Sequence, residues 1–417
     1  MRVLIEVLCQ GLSNEQKATR QKESKGFLPY NAAAMDLIYL DNNATTKPDP
    51  AVVEAMLPYL TEWYGNPSSV HRFGQRSRKA IDTARTQVAG LIGAADGEIA
   101  FTGGGTEAIN WAIRGLLEAR APRRRIVTSV VEHSATRELC KQLAREGVEV
   151  IEVAVDRSGA IDLDALREAI TEETALVSLL LANNETGVIF PIEQIAQFCK
   201  ARRVPFHCDG TQGVGKIAVN VKELAVDAMS FAPHKFHGPK GIGVLYARRG
   251  VRVRPLIIGG PQENSKRGGT ENVPGIVGTG VACELCAQHL PDMSRVKALR
   301  DRLETQILHT IDQTFVNGDH EKRVPNTTNV SFARLEAEAI LLLLSEQGAC
   351  ASAGAACSSG SLEPSHVLKA MNLDPKISHG AIRFSLSRFT TDGEVDRALE
   401  LLPPIIRKLR AVLPVGV

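Results

Sequence analysis

The chain has 417 residues, 44% of them hydrophobic, which is enough to bury a large core and to divide into two domains. Its 49 basic residues stand against 47 acidic ones, a formal charge of +2 with no long block of one sign. That balance argues against nucleic acid or an anionic membrane as the main partner. No apolar run approaches the ~20 residues needed to cross a bilayer; Leu341 to Leu344 is far shorter and reads as part of a core helix.

Residues 1–34 differ in character from the rest of the chain. Met1 to Cys9 is mildly apolar, and Ser13 to Lys25 is polar and charged. Neither a secretory signal nor a transit peptide fits, so a flexible extension, or an upstream start before Met35, is expected. Without an export signal the eight cysteines are expected as reduced thiols, and the protein in the cytoplasm.

From Ala100 onward short apolar runs alternate with amphipathic stretches. Arg125 to Val131, Val148 to Val153, Ala175 to Ala182, Val204 to Cys208, Ala228 to Phe231 and Gly243 to Tyr246 read as strands. Ala135 to Arg145 and Pro191 to Ala201 read as helices between them. The pattern predicts an α/β fold, a mostly parallel sheet with helices on both faces and ligands at the carboxyl ends of the strands. After Asp292 helical pattern dominates, with strands expected at Asn329 to Phe332 and Ile382 to Leu386, which predicts a second, α+β domain.

Several strand ends carry chemistry. Thr102-Gly103-Gly104-Gly105-Thr106-Glu107 opens a predicted helix, where backbone N–H groups and the helix N-terminus can hold a phosphate. It matches neither the P-loop nor the dinucleotide fingerprint. Glu132-His133 ends the next strand; the imidazole can stack on a flat cofactor and move protons, or simply cap the following helix. Asn183-Asn184-Glu185-Thr186-Gly187 ends another, offering amides to a ligand oxygen or forming a plain turn.

The most telling pair comes next. One apolar run ends in Asp209, and the following one ends in Lys235 before a glycine-rich turn. Pyridoxal phosphate needs such a pair: a lysine amine to hold its aldehyde carbon, and a carboxylate to keep its pyridine nitrogen protonated. Ser230 and His234, just upstream of the lysine, are further candidate phosphate donors. Cys283 and Cys286 lie in a helical pattern without other residues at metal spacing, so they read as packed thiols. Cys357 differs, because every residue from Ala351 to Gly360 is small, which predicts an exposed loop with a thiol able to meet a substrate.

Together these segments resemble the cysteine desulfurases, within the class V aminotransferase-like group of fold-type I pyridoxal phosphate enzymes. The resemblance runs from Met35 to about Leu409 and takes in Asp41-Asn42-Asn43-Ala44-Thr45-Thr46, Gly65-Asn66-Pro67-Ser68-Ser69 and Arg267-Gly268-Gly269-Thr270-Glu271-Asn272. It also covers the strand-end segments, the cysteine loop and Ile382-Arg383-Phe384-Ser385-Leu386-Ser387-Arg388. The long cysteine loop is similar to that of the housekeeping and nitrogen-fixation branch.

The resemblance implies a large domain over residues 45–292 with a seven-stranded sheet. It implies a small domain built from 35–44 and 293–417. Lys235 would bind the cofactor covalently, Asp209 the pyridine nitrogen, and His133 the ring face. Gly105, Thr106, Ser230 and His234 would hold the phosphate, Asn184 and Gln212 the ring oxygen. Thr270 would complete the phosphate site of the neighbouring subunit, which implies a homodimer. Arg383 would grip the substrate carboxylate and Cys357 would take the sulfur of L-cysteine as a persulfide. Cys357 would also be a transient iron–sulfur ligand shared with a scaffold partner or other sulfur acceptor.

Three positions depart from the family pattern: Gly103 in place of serine, Gly210 where alanine is usual beneath the ring, and Pro261-Gln262-Glu263-Asn264-Ser265 in a loop expected to be more basic. Two other readings stay open, another fold-type I enzyme such as an aminotransferase, and a non-catalytic assembly protein. The first needs no reactive cysteine; the second needs no intact lysine, acid, histidine and cysteine set.

Overall fold

The computed structural model describes residues 37–354 and 365–412. Its strands in chain order are β1 (Ile38–Tyr39), β2 (Ile99–Thr102), β3 (Arg125–Ser129), β4 (Glu149–Val153), β5 (Thr174–Leu180) and β6 (Phe206–Asp209). After these come β7 (Ala228–Phe231), β8 (Gly243–Ala247), β9 (Thr314–Val316), β10 (Thr327–Phe332), β11 (Ala349–Cys350) and β12 (Ala381–Ser385). Seven form one sheet in the order β2-β8-β7-β6-β5-β3-β4. Only β8 runs against its neighbours.

Side-chain alternation along these strands explains the layers. Val127, Val177, Met229 and Val244 pack on one face with Ile81, Ile195 and Cys283. Ile126, Leu176, Ala228 and Leu245 pack on the other with Trp111, Leu116 and Leu139. Strands covered on both sides read as unbroken apolar runs, which is why they are legible in the sequence.

A separate apolar cluster gathers Ile38 and Leu40 with Val330, Phe332, Ile382 and Phe384. Ile38 and Tyr39 pair with Ala349 and Cys350, so a segment from the start of the described chain is stitched to one more than three hundred residues on. The three-stranded sheet β12-β10-β9 lies in this part. β9 and the β1–β11 pair escape a sequence reading, because two or three residues carry no periodicity.

Candidate active site

The carboxyl ends of β3, β5, β6 and β7 converge on a cavity of about 250 Å³ lined by Gly105, His133, Asp209, Gln212, Lys235 and Arg383, among others. Each strand delivers one group because parallel strands end on the same edge of the sheet.

The glycine turn after β2 makes the outer wall. Helix α1 (Gly105–Ala119) starts there with Gly104 as its cap and no side chain covering its first N–H groups, an arrangement that suits an anion. Gly243 on β8 must be glycine, since a Cβ there would lie 2.3 Å from the Gly104 carbonyl. Gly105, Thr106 and His234 face both the cavity and an outer cleft. Lys240 lines only the outer cleft, away from the inner cavity.

Electrostatics distribute the protons. Lys235 Nζ donates to the carbonyls of Asn43 (2.8 Å) and Ala44 (2.9 Å). Asp209 is buried and takes the Thr211 N–H at 3.0 Å. His133 satisfies both readings of it: Nδ1 accepts from Ala135 N at 3.1 Å, capping helix α2 (Ser134–Arg145), while the ring lines the cavity. With Nδ1 accepting, its proton sits on Nε2. Burial holds its pKa below the usual histidine value; Asp209 opposes this and Lys235 adds to it. His234 is pushed down to about 4 by burial, then by Lys235 and Lys240, and its Nδ1 lies 3.1 Å from the Thr45 hydroxyl. Both rings are therefore neutral near pH 7.

Arg383 is buried on β12 and reaches the cavity. Its Nη2 donates to Asp41 Oδ1 at 2.6 Å and its Nη1 to the Asn184 carbonyl at 2.9 Å. Asn184 lines the same cavity.

Two expectations are corrected. Ser230 does not reach the cavity. Its hydroxyl lies 2.9 Å from His207 Nε2, and the other nitrogen of that ring lies 2.9 Å from Ser178 Oγ, all of it fully buried. Burial pushes His207 down to about 4, so a neutral ring ties β5, β6 and β7 together. Ser230 points to the face expected but sits two residues deeper along the strand, and Ala232 occupies the wall position. Gly210 is not beneath the cavity either: a Cβ there would meet Met229 Sδ at 2.9 Å and Val214 at 3.2 Å. Thr211 lines the cavity instead, with a buried hydroxyl that has no partner among the described residues.

The other departures have local causes. A Cβ on Gly103 would lie 2.8 Å from Glu107 Oε2, which accepts the Gly103 N–H and is paired with Arg267. That pair ties the Arg267-Gly268-Gly269-Thr270 loop to the glycine turn, with Thr270 itself exposed outside the cavity. In the Pro261–Ser265 segment, Glu263 forms a buried two-pronged pair with Arg85, both contacts 2.8 Å. Removing one partner of such a pair costs about 3–5 kcal/mol. Glu263, Asn264 and Ser265 all have positive φ, a strain that this anchor sustains.

Cys357 lies outside the described residues. Cys350 lies within them, in the β1–β11 pair, its thiol raised by burial and then by Asp41. Cys283 and Cys286 are buried in the helix Val273–His289 with thiols raised by burial, as packed cysteines should be.

The donor set fits pyridoxal phosphate. A helix N-terminus for an anion, a buried carboxylate and an amine line one cavity, and the Thr211 hydroxyl, without a partner among the described residues, suits a polar occupant.

Comparison with known proteins agrees. Residues 38–398 match the model of the aminotransferase class-V family. The chain is 55% identical over 380 residues to "Cysteine desulfurase 2" of Trichormus variabilis, covering 91% of this chain and 96% of that one. It is 48% identical over 379 residues to "Cysteine desulfurase NifS" of Azotobacter vinelandii, covering 90% and 94%. A solved structure described as a NifS-like protein superposes with a TM-score of 0.84 at 38% identity, covering 90% of this chain and all of that one.

Proposed function

Since the chain belongs to the aminotransferase class-V family, we propose that it is a pyridoxal-phosphate-dependent cysteine desulfurase. It would convert L-cysteine and a protein thiol to L-alanine and a protein persulfide, supplying sulfur for iron–sulfur cluster assembly, including clusters for nitrogen fixation. The observation that carries the reading is Lys235 and Asp209 on one cavity whose outer wall is the start of α1.

Bound there, pyridoxal phosphate would supply an electron sink for the bonding electrons of the substrate's α-carbon. Lys235 would hold it covalently, Asp209 would keep its pyridine nitrogen protonated, and Gly105, Thr106 and His234 would hold its phosphate. Asn184 and Gln212 would bind its ring oxygen. His133, neutral with its proton on Nε2, would lie against the ring and pass a proton. Arg383 would orient the substrate carboxylate, its guanidinium already aimed by Asp41 and Asn184. The Cys357 thiolate would attack the substrate sulfur: an S–S bond forms, the C–S bond breaks, and the carbon fragment takes up a proton to leave as alanine. Both flanks of the Cys357 segment meet Glu185, the neighbour of Asn184. Ser365 Oγ donates to its Oε2, and a Cβ on Gly354 would lie 3.0 Å from the same atom.

Thr270 would serve the phosphate site of a second subunit, with the exposed Leu57, Leu60, Tyr64 and Val70 giving a homodimer its apolar surface. No helix among the described residues is long and apolar enough to cross a membrane, and the cytoplasm, where thiols stay reduced, suits the chemistry. A scaffold or other acceptor protein would take the sulfur. Assaying the purified, cofactor-loaded protein for alanine and sulfide from L-cysteine with a thiol reductant tests the proposal. Loaded protein that releases no alanine overturns it.

A further inference from the structure

Lys216 is a buried amine to which the desulfuration chemistry gives no task. It is 5% exposed, and its Nζ donates to Asn43 Oδ1 at 2.7 Å and to Gln212 Oε1. Neither partner is a carboxylate. The charges that act on it, Lys235 and Arg383, are both positive, and burial together with these two pushes its pKa well below the usual lysine value. Burial, then Arg388 and Lys216, push His237 down to about 4. An amine in such a place is expensive to bury and needs a compensating role.

The two partners indicate the role. A terminal amide keeps its shape when turned over and changes only which end donates and which accepts. N–H groups of Lys216 aimed at both amide oxygens set that choice for Gln212 and, together with the Asn326 amide at 3.1 Å, for Asn43. For Asn43, the nitrogen then faces the Asn184 carbonyl (3.1 Å) and the Thr327 hydroxyl (2.9 Å). For Gln212, Nε2 gives one N–H to the Asn43 carbonyl at 3.0 Å, the same carbonyl that takes the Lys235 amine at 2.8 Å. Gln212 lines the cavity, where its second N–H would meet a ligand oxygen.

We propose that Lys216 is a positioning residue that locks Gln212 so that an amide N–H, not an amide oxygen, meets the ring oxygen of bound pyridoxal phosphate. This rests on the cofactor reading of the site. An N–H given to that oxygen draws its negative charge away from the neighbouring Lys235 nitrogen and lowers the pH at which that nitrogen releases its proton. The other ionisable groups lining the cavity with Lys235 are Asp209, His133, His234 and Arg383, and neither variant replaces any of them.

The test is a pH titration of the visible absorbance of the holoenzyme. Lys216→Met and Gln212→Leu should each raise the midpoint by about one pH unit, the size of one hydrogen bond to a charged group. The double variant should shift no further than either single one, since both remove the same N–H. Absence of a shift in Lys216→Met overturns the inference, and so do shifts that add, because Lys216 would then act as a charge independent of Gln212. Should Lys216→Met not fold, a crystal structure of the unsubstituted holoenzyme decides. Gln212 within hydrogen-bond reach of the ring oxygen, with its Oε1 still on Lys216, supports the lock; Gln212 turned away overturns it. Unsubstituted protein that develops no visible band with pyridoxal phosphate refutes the cofactor reading itself, and the inference falls with it.

Discussion

The Lys235 amine rests 2.8 Å from the carbonyl oxygen of Asn43, a residue 192 positions earlier in the chain. Asn43 lies in the segment that runs on from Ile38 and Leu40, which pack in the cluster with β10 and β12. It also bonds Ser385, Thr327 and Asn326 there. The lysine four residues past β7 is therefore set in place by chain from the other core, and the site exists only when both are folded.

That placement predicts the point of covalent attachment. Borohydride reduction of the cofactor-loaded protein should label Lys235, and Lys235→Ala should abolish labelling and lower turnover by about 10³-fold or more. A label on Lys240 by peptide mass spectrometry would refute the assignment.

The nucleophile should be Cys357. Cys357→Ser should remove desulfuration of L-cysteine while cofactor binding, tracked by visible absorbance, persists. Cys350→Ser should do little, because burial and Asp41 hold its thiol up and its backbone is committed to the β1–β11 pair. Persulfide recovered on Cys350 would reverse this ranking.

Arg383 should act on substrate binding. Lysine keeps the charge but not the planar fork, so Arg383→Lys should raise KM for L-cysteine by about tenfold or more, with a smaller change in kcat. Asp41→Asn, which frees one arm of the guanidinium, should raise KM less. Unaltered KM in both variants would remove Arg383 from the substrate site.

Glu132 should make stability depend on pH. It is fully buried, and burial pushes its carboxyl up to about 8 against the hydrogen bonds from Ser129 and the Leu180 N–H. With its folded pKa above the ordinary value of 4.5, the folded state holds a proton that the unfolded state loses. Its contribution is thus complete below about pH 4.5 and fades as pH rises toward 8. In melting scans of the apoprotein, the advantage of Glu132→Gln over the parent should grow across that window and level off above it. A constant difference would mean that the carboxyl is ionised when buried.

Assembly is tested by sedimentation. The protein should behave as a dimer, and Thr270→Ala should weaken its affinity for pyridoxal phosphate although Thr270 lies outside its own chain's cavity. A fully active monomer would refute the shared site.

Much of the site is legible in the sequence because the relevant signals are local. A strand buried on both faces is an apolar run, and the residues at its end or within four positions past it sit on the ligand edge of the sheet, so Gly105, His133, Asp209 and Lys235 can be read directly. Direction can be read too, but depth cannot. Ser230 and Ala232 share a strand face, and only the packed sheet shows that the first meets His207 and the second meets the cavity.

The sequence by itself determined the chemistry, an amine and an acid on adjoining strand ends beside a glycine-capped helix, because each lies within a few residues of the strand that carries it. Only the tertiary structure decided how these groups are held. Asn43 beneath Lys235, Asp41 on Arg383, Arg267 on Glu107 and Lys216 on Gln212 are contacts whose partners no periodicity announces. Three of the four join residues more than a hundred positions apart, and even Lys216, four residues from Gln212, shows its purpose only when Asn43 arrives from the far end of the chain to receive the same amine. A hydrogen bond over such distances is fixed by register and depth of packing, which appear when the cores close and not before.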